Sequence, residues 1–246
     1  MIRFASVPYL NAKPLLEGLE SEVGPVSLAV PAELTRRLAA GEVDVALAPV
    51  VAAFETPGLT IVDAGAIATK GAVGSVLLFS RVPPREARVV ALDTSSRTSA
   101  ALTRVLFAFR WNASPRFVER APDPDLTALD ADAALLIGDP ALVARWVGPP
   151  PIDLGHEWCE WTGLPFVFAV WLARTPEIAR DAAAPLRRAA ERGAAAIERI
   201  AASGAASVGL ESAASLDYLT RRLSFTLGDE ERAAIARFRG YWARLR

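Results

Sequence analysis

Residues 88–109 read RVVALDTSSRTSAALTRVLFAF, and this stretch decides the fold. RVVALD is a short apolar strand. Thr94, Ser95, Ser96, Arg97, Thr98 and Ser99 follow as a polar turn. AALTRVLFAF then places apolar residues at 101, 102, 105, 106 and 109, the spacing of one helix face. A strand that enters a helix through a polar turn is half of a βαβ unit. The turn has chemistry of its own. A helix start leaves backbone N–H groups unpaired and carries a partial positive charge, so hydroxyls and an arginine there make a site for an anion. One side chain suffices to cap the helix, and Ser95, Ser96, Arg97 and Thr98 exceed that need. All four are candidate substrate-binding residues; Arg97 either faces the ligand or lies on the surface in an ion pair.

The same pattern recurs on both sides. IRFASV opens the chain as a strand and leads through VPYLNAKPL into a helix over 12–20, with Pro14 in its first turn. VSLAV is a strand, PAELTRRLAAG a helix with Pro31 at its start and Gly41 at its end, and VDVALAPV and LTIVDAG two further strands. This βαβαβ order implies a parallel sheet covered by helices. GSVLLFS, 74–80, ends at Pro83-Pro84. ADAALLIGDPAL is a strand that stops at Gly138-Asp139, and LPFVFAVW, 164–171, is a long apolar strand. From Pro176 the chain becomes Ala/Arg/Glu-rich and helical: one long helix with a possible kink at Pro185, then SAASLDYLTRRL, then GDEERAAIARFRGYWARL with three acidic residues in its first turn. One arrangement accounts for this order. Two α/β lobes close on a ligand where strand C-termini and helix N-termini converge. Residues 1–80 plus 173–246 form the first lobe, 81–172 the second, and strands 74–80 and 164–171 are the hinges.

Composition narrows the partners. The formal net charge of −1 over 246 residues argues against nucleic acid and anionic membrane. The single cysteine, Cys159, rules out an intrachain disulfide or a cysteine-based zinc cluster, and the single histidine, His156, leaves no spare for a metal site or a Ser-His-Asp triad. No window reaches the roughly 18–20 apolar residues of a membrane span. The first residues lack the basic and apolar segments of a secretory signal. A cytoplasmic protein acting on a small molecule is expected, with the oligomeric state open.

VPYLNAKPL, VDVALAPV, GSVLLFS, LDTSSRTSAAL, LLIGDPAL and EWTGLPFVFAVW, in this order, resemble the chorismate dehydratase family of the futalosine-type menaquinone pathway. The likeness is close from residue 2 to about 174 and only general beyond. It implies the type II periplasmic-binding-protein fold, in agreement with the two-lobe clamp. It also implies a lyase that removes water from chorismate to give 3-[(1-carboxyvinyl)oxy]benzoate without metal or organic cofactor. The family usually has Ser where this chain has Pro8; Tyr9, Leu10 and Asn11 match.

On that resemblance Asn11 is the candidate catalytic residue. Its type alone suits a turn or cap equally well. An amide cannot abstract a proton, but it donates to a carboxylate and accepts from a hydroxyl. Tyr9 and Ser75 join the substrate-binding set, with Gly138, which lets backbone approach closely, and Asp139, whose charge would repel a dianion and which suits an N-cap before Pro140. His156 is a general acid by type, but the family commonly has Glu there, so no catalytic role is expected. Trp158 and Trp161 fit core or cleft wall, Glu157 and Glu160 surface, and Lys70 a solvated loop. No matched motif supplies a base; one solution is substrate assistance, with the enolpyruvyl carboxylate taking the proton itself, and the identity of the base stays open. The alternative is a non-catalytic small-anion binding protein of the same fold.

Overall fold

The computed structural model describes residues 2–206, 209 and 211–245. Among these residues, ten strands form two five-stranded sheets. The first contains β1 (Phe4–Ser6), β2 (Val26–Leu28), β3 (Val45–Pro49), β4 (Thr60–Thr69) and β10 (Phe166–Ala173), in the order β2-β1-β3-β10-β4. The second contains β5 (Val76–Ser80), β6 (Val89–Asp93), β7 (Arg116–Arg120), β8 (Ala133–Ile137) and β9 (Ile152–Asp153), in the order β7-β6-β8-β5-β9.

The parallel core of each sheet follows the βα alternation of the sequence: β1 pairs in parallel with β2 and β3, and β6 with β7 and β8. The strands at 74–80 and 164–171 have a different place from the one expected. Val76–Ser80 runs antiparallel between β8 and β9 inside the second sheet. Phe166–Ala173 runs antiparallel between β3 and β4 inside the first. Neither is a free hinge strand, and the boundaries expected at 80 and 172 fall on the wrong sides of them. The chain changes sheets over residues 70–75 and again through the helix Leu154–Thr162.

The segment after β1 also departs from expectation. The helix expected over 12–20 is a tight 3₁₀ turn, Leu10–Leu15, followed by a short helix, Glu20–Val23. Pro14 has no N–H to donate, and Gly18 has φ +64, so a continuous helix is not held through this stretch. The long helix beginning at Pro176 passes Pro185 and ends at Ala195; a second, Ile197–Ala205, takes over. β7, β9 and the helix Leu154–Thr162 were not legible as elements in the sequence.

The main apolar core runs through both sheets, and a smaller cluster of Phe79, Ala91, Leu126, Leu129, Ala134, Leu136 and Ala141 packs apart from it in the second. The joint of the main core is aromatic. Trp158, fully buried on the helix Leu154–Thr162, packs edge-on against Phe166 of β10 at 5.3 Å and Phe238 of the C-terminal helix Asp229–Ala243 at 5.8 Å. Its indole N–H donates to the Pro165 carbonyl at 2.9 Å, so burial leaves no polar atom unpaired. Trp161 stacks on Tyr241 at 4.6 Å. These contacts pack the connecting helix Leu154–Thr162 and the C-terminal helix onto β10 of the first sheet, and a cleft lies between the sheets.

Candidate active site

The cleft lies at the C-terminal ends of β1, β3, β6 and β8, the crevice where α/β sheets collect their ligands. Counting the part open to solvent, it encloses about 630 Å³. Its walls are mostly apolar, with Val7, Leu47, Ile67, Val76, Ile137 and Phe168 among them. The polar groups are few: Tyr9, Asn11, Ser75, Ser96 and Ser99.

Asn11 stands on the 3₁₀ turn after β1, and Ser75 ends the first crossing between sheets. A side chain from the far end of the chain joins them. Asn11 Nδ2 donates to the Tyr218 hydroxyl at 3.3 Å, and that hydroxyl lies 2.9 Å from Ser75 Oγ. Tyr218 is 3% exposed, and burial raises its pKa against the opposing effect of its Ser75 and Asn11 hydrogen bonds. Asn11 Oδ1 is also buried, and among the described residues it has no partner. A buried acceptor left unpaired is costly, and here it belongs to a residue that lines the cleft.

On the other wall, Ser96 caps the helix Arg97–Val105: its Oγ accepts from Ser99 N at 3.2 Å and lies 3.0 Å from Ser99 Oγ. Gly138 has φ +63, a conformation that side chains disfavour, and nothing lies within 4 Å of where a Cβ would stand. The glycine is there for its backbone, whose N–H donates to Ser75 O at 2.7 Å and binds the two cleft segments together.

Of the residues singled out in the sequence, Tyr9, Asn11, Ser75, Ser96 and Gly138 line one cleft. Four other candidates do not line it. Ser95 is taken up by Asp93, which accepts from its N–H at 2.8 Å and from its hydroxyl at 2.5 Å. Thr98 is buried and accepts from Val51 N at 3.4 Å, a tie to the turn after β3. Arg97 turns to Glu55, which also accepts from Trp242 Nε1 at 3.2 Å. Of the two roles the sequence allows it, the ion pair is the one formed. Asp139 sits inside the first turn of the helix Gly138–Leu142, where it makes no cap hydrogen bond; the cap expected of it is not made. Burial raises its pKa, with the charge of Lys13 opposing.

Tyr9 is the only titratable side chain among the described lining residues. Burial raises its pKa first, and the charges of Asp93 and Asp139 raise it further. His156 is exposed and outside the cleft, and Lys70 pairs with Glu230 at 2.7 Å. Tyr218 and Ser99 are the site residues that the sequence did not single out. Ser99 stood in the quoted turn. Tyr218 gave no signal in the sequence; in the fold it opens a wide helical turn, with Leu223 N bonded back to Tyr218 O at 3.2 Å, of a kind frequent at functional sites.

A family model described as menaquinone biosynthesis matches residues 2–244. The chain belongs to this menaquinone-biosynthesis family. A chorismate dehydratase of Thermus thermophilus is 37% identical over 189 residues, 68% of this chain and 67% of that protein. The fold is that of periplasmic binding proteins. A structural-genomics protein of Archaeoglobus fulgidus superposes with a TM-score of 0.75 at 16% identity, covering 99% of this chain and 97% of the other. The periplasmic aliphatic sulphonate binding protein SsuA of Escherichia coli does so at 0.64 and 18%, covering 99% and 87%. Among the described residues of this family member, no helix is long and apolar enough to cross a membrane.

Proposed function

We propose that this member of the menaquinone-biosynthesis family is a cytoplasmic lyase that dehydrates chorismate to 3-[(1-carboxyvinyl)oxy]benzoate. The relationship to the Thermus thermophilus dehydratase supports the substrate. The observation that carries the chemistry is the cleft itself: a polar cluster of Asn11, Tyr218 and Ser75 at one end of an apolar site whose described lining has no carboxylate, imidazole or amine.

Such a site suits a reaction in which the substrate brings its own base. The ring hydrogen on the carbon bearing the enolpyruvyl ether is allylic and conjugated to the ring carboxylate. The enolpyruvyl carboxylate takes it as a proton, and the electron pair spreads through the double bond onto the ring carboxylate. The neighbouring C–O bond then breaks towards oxygen. The departing hydroxyl takes the proton back and leaves as water, and the ring becomes aromatic. The protein's part is to position the substrate and stabilise the charge that develops. Asn11 Oδ1, buried and without a protein partner among the described residues, would accept from the ring hydroxyl once the substrate displaces what covers it. Ser96 and Ser99, at a helix N-terminus, are placed to receive a carboxylate. The apolar walls exclude water and strengthen each of these contacts.

Incubation with chorismate and chromatography of the products tests this directly: an aromatic carboxyvinyl ether is expected. Chorismate returned unchanged but bound would instead mark a binding protein of the same fold. His156→Gln is expected to keep turnover within about twofold of the parent chain, because the imidazole lies outside the cleft; a large loss in steady-state assays would make the histidine the acid–base group.

A further inference from the structure

Tyr218, 207 residues beyond Asn11, lies behind the cleft wall and is the only described group that bonds the Asn11 side chain. A phenol has one proton to give and two lone pairs to offer. The Asn11 amide donates to one lone pair, so the Tyr218 proton must go elsewhere, and Ser75 Oγ at 2.9 Å is the remaining partner. With Tyr218 only 3% exposed, water is no substitute. With the Asn11 N–H donating, the hydrogen bonds run in one direction, from Asn11 N–H to Tyr218 O–H to Ser75. Two things follow. The Asn11 amide is locked with Oδ1 away from the phenol, which leaves that atom buried and unpartnered on a cleft-lining residue. The Ser75 proton, not needed by Tyr218, is free to serve a ligand. The reverse direction would offer the ligand an amide N–H in place of the acceptor and remove the serine donor.

We propose that Tyr218 is a positioning residue that fixes the Asn11 amide orientation, so that the cleft presents one acceptor, Asn11 Oδ1, and one donor, the Ser75 hydroxyl. A ligand that fits carries a hydroxyl beside an anionic or carbonyl oxygen. The kinetic arm of the test rests on the chorismate dehydration proposed above; the spectroscopic arm does not.

Tyr218→Phe removes only the hydroxyl. It is expected to lower kcat about tenfold or more while KM for chorismate moves less than about threefold, the split of a group that acts in the transition state. In an Asn11→Ala background the same change is expected to cost nothing further, because the residue through which Tyr218 acts is gone. Unchanged kcat, or losses that multiply in the double variant, overturns the proposal. Independently of turnover, the Asn11 side-chain amide signals in a ¹H–¹⁵N spectrum, identified by their absence from Asn11→Ala, are expected to shift in Tyr218→Phe; unshifted signals overturn it. If wild-type protein makes no product, the dehydratase assignment falls and these shifts still decide the positioning role. Should Tyr218→Phe not fold, Ser75→Ala serves. It leaves the phenol proton without its acceptor, so the proton turns to Asn11, and the same amide signals must move; unmoved signals overturn the proposal.

Discussion

Asn11→Ala is expected to lower chorismate turnover by about a hundredfold or more while weakening binding less than about tenfold, because the lost contact acts mainly in the transition state. The side chain is one of few polar groups in an apolar cleft, and its Oδ1 has no protein partner to compete with a ligand. Removing it takes away an acceptor already oriented by Tyr218, so no other group replaces it. Asn11→Asp keeps the shape and replaces the amide donor with a second acceptor. It puts a negative charge beside a dianionic substrate, and turnover should be close to nil in a protein that still folds. Steady-state kinetics with thermal melts of the three proteins check this. Near-normal turnover in both variants would remove Asn11 from the reaction.

Gly193→Ala should be the most damaging single-methyl change in the fold. The helix Pro176–Ala195 crosses the 3₁₀ turn Leu10–Leu15 so closely that a Cβ at 193 would stand 1.8 Å from the Pro14 carbonyl oxygen and 2.5 Å from its carbon. Both are backbone atoms, so no side chain can swing aside, and the helix or the turn has to move. Such overpacking costs about 3 kcal/mol or more. Three residues before Pro14 stands Asn11, so a moved turn also misplaces the amide, and the folded fraction should lose activity too. Gly240→Ala is the contrast. It lies in the helix Asp229–Ala243 with nothing within 4 Å of the added atom. There the methyl should stabilise by about 0.5–1 kcal/mol through helix propensity alone. Urea midpoints measure both changes. A Gly193→Ala midpoint equal to the parent's would contradict the close crossing.

What the sequence made legible is what local pattern encodes. The run from Arg88 to Phe109 became β6, a capped turn and a helix, and two of its turn residues, Ser96 and Ser99, line the cleft. Asn11, Ser75 and Gly138 were found from motifs at strand ends and converge there as well. Long-range placement was not legible. An apolar strand reads alike in either sheet, so Phe166–Ala173 gave no sign that it would enter the first sheet antiparallel between β3 and β4. Arg97 sits in the anion-binding turn by sequence, yet Glu55, 42 residues earlier, takes its charge. Asp93 looked like the end of a strand, but its carboxylate ties Ser95 to Ile137 N, at 3.2 Å, and so shapes the cleft wall from behind. Tyr218 lies in a helical stretch where an aromatic is ordinarily core. Only the folded chain puts its hydroxyl between Asn11 and Ser75.

The most direct measurement follows chorismate by ¹H NMR in the presence of the purified chain. The account predicts that the ring signals of chorismate give way to aromatic ones while the enolpyruvyl signals persist, with one water released for each molecule converted. Chorismate that binds but keeps its spectrum, or that loses its enolpyruvyl signals to free pyruvate, would contradict it.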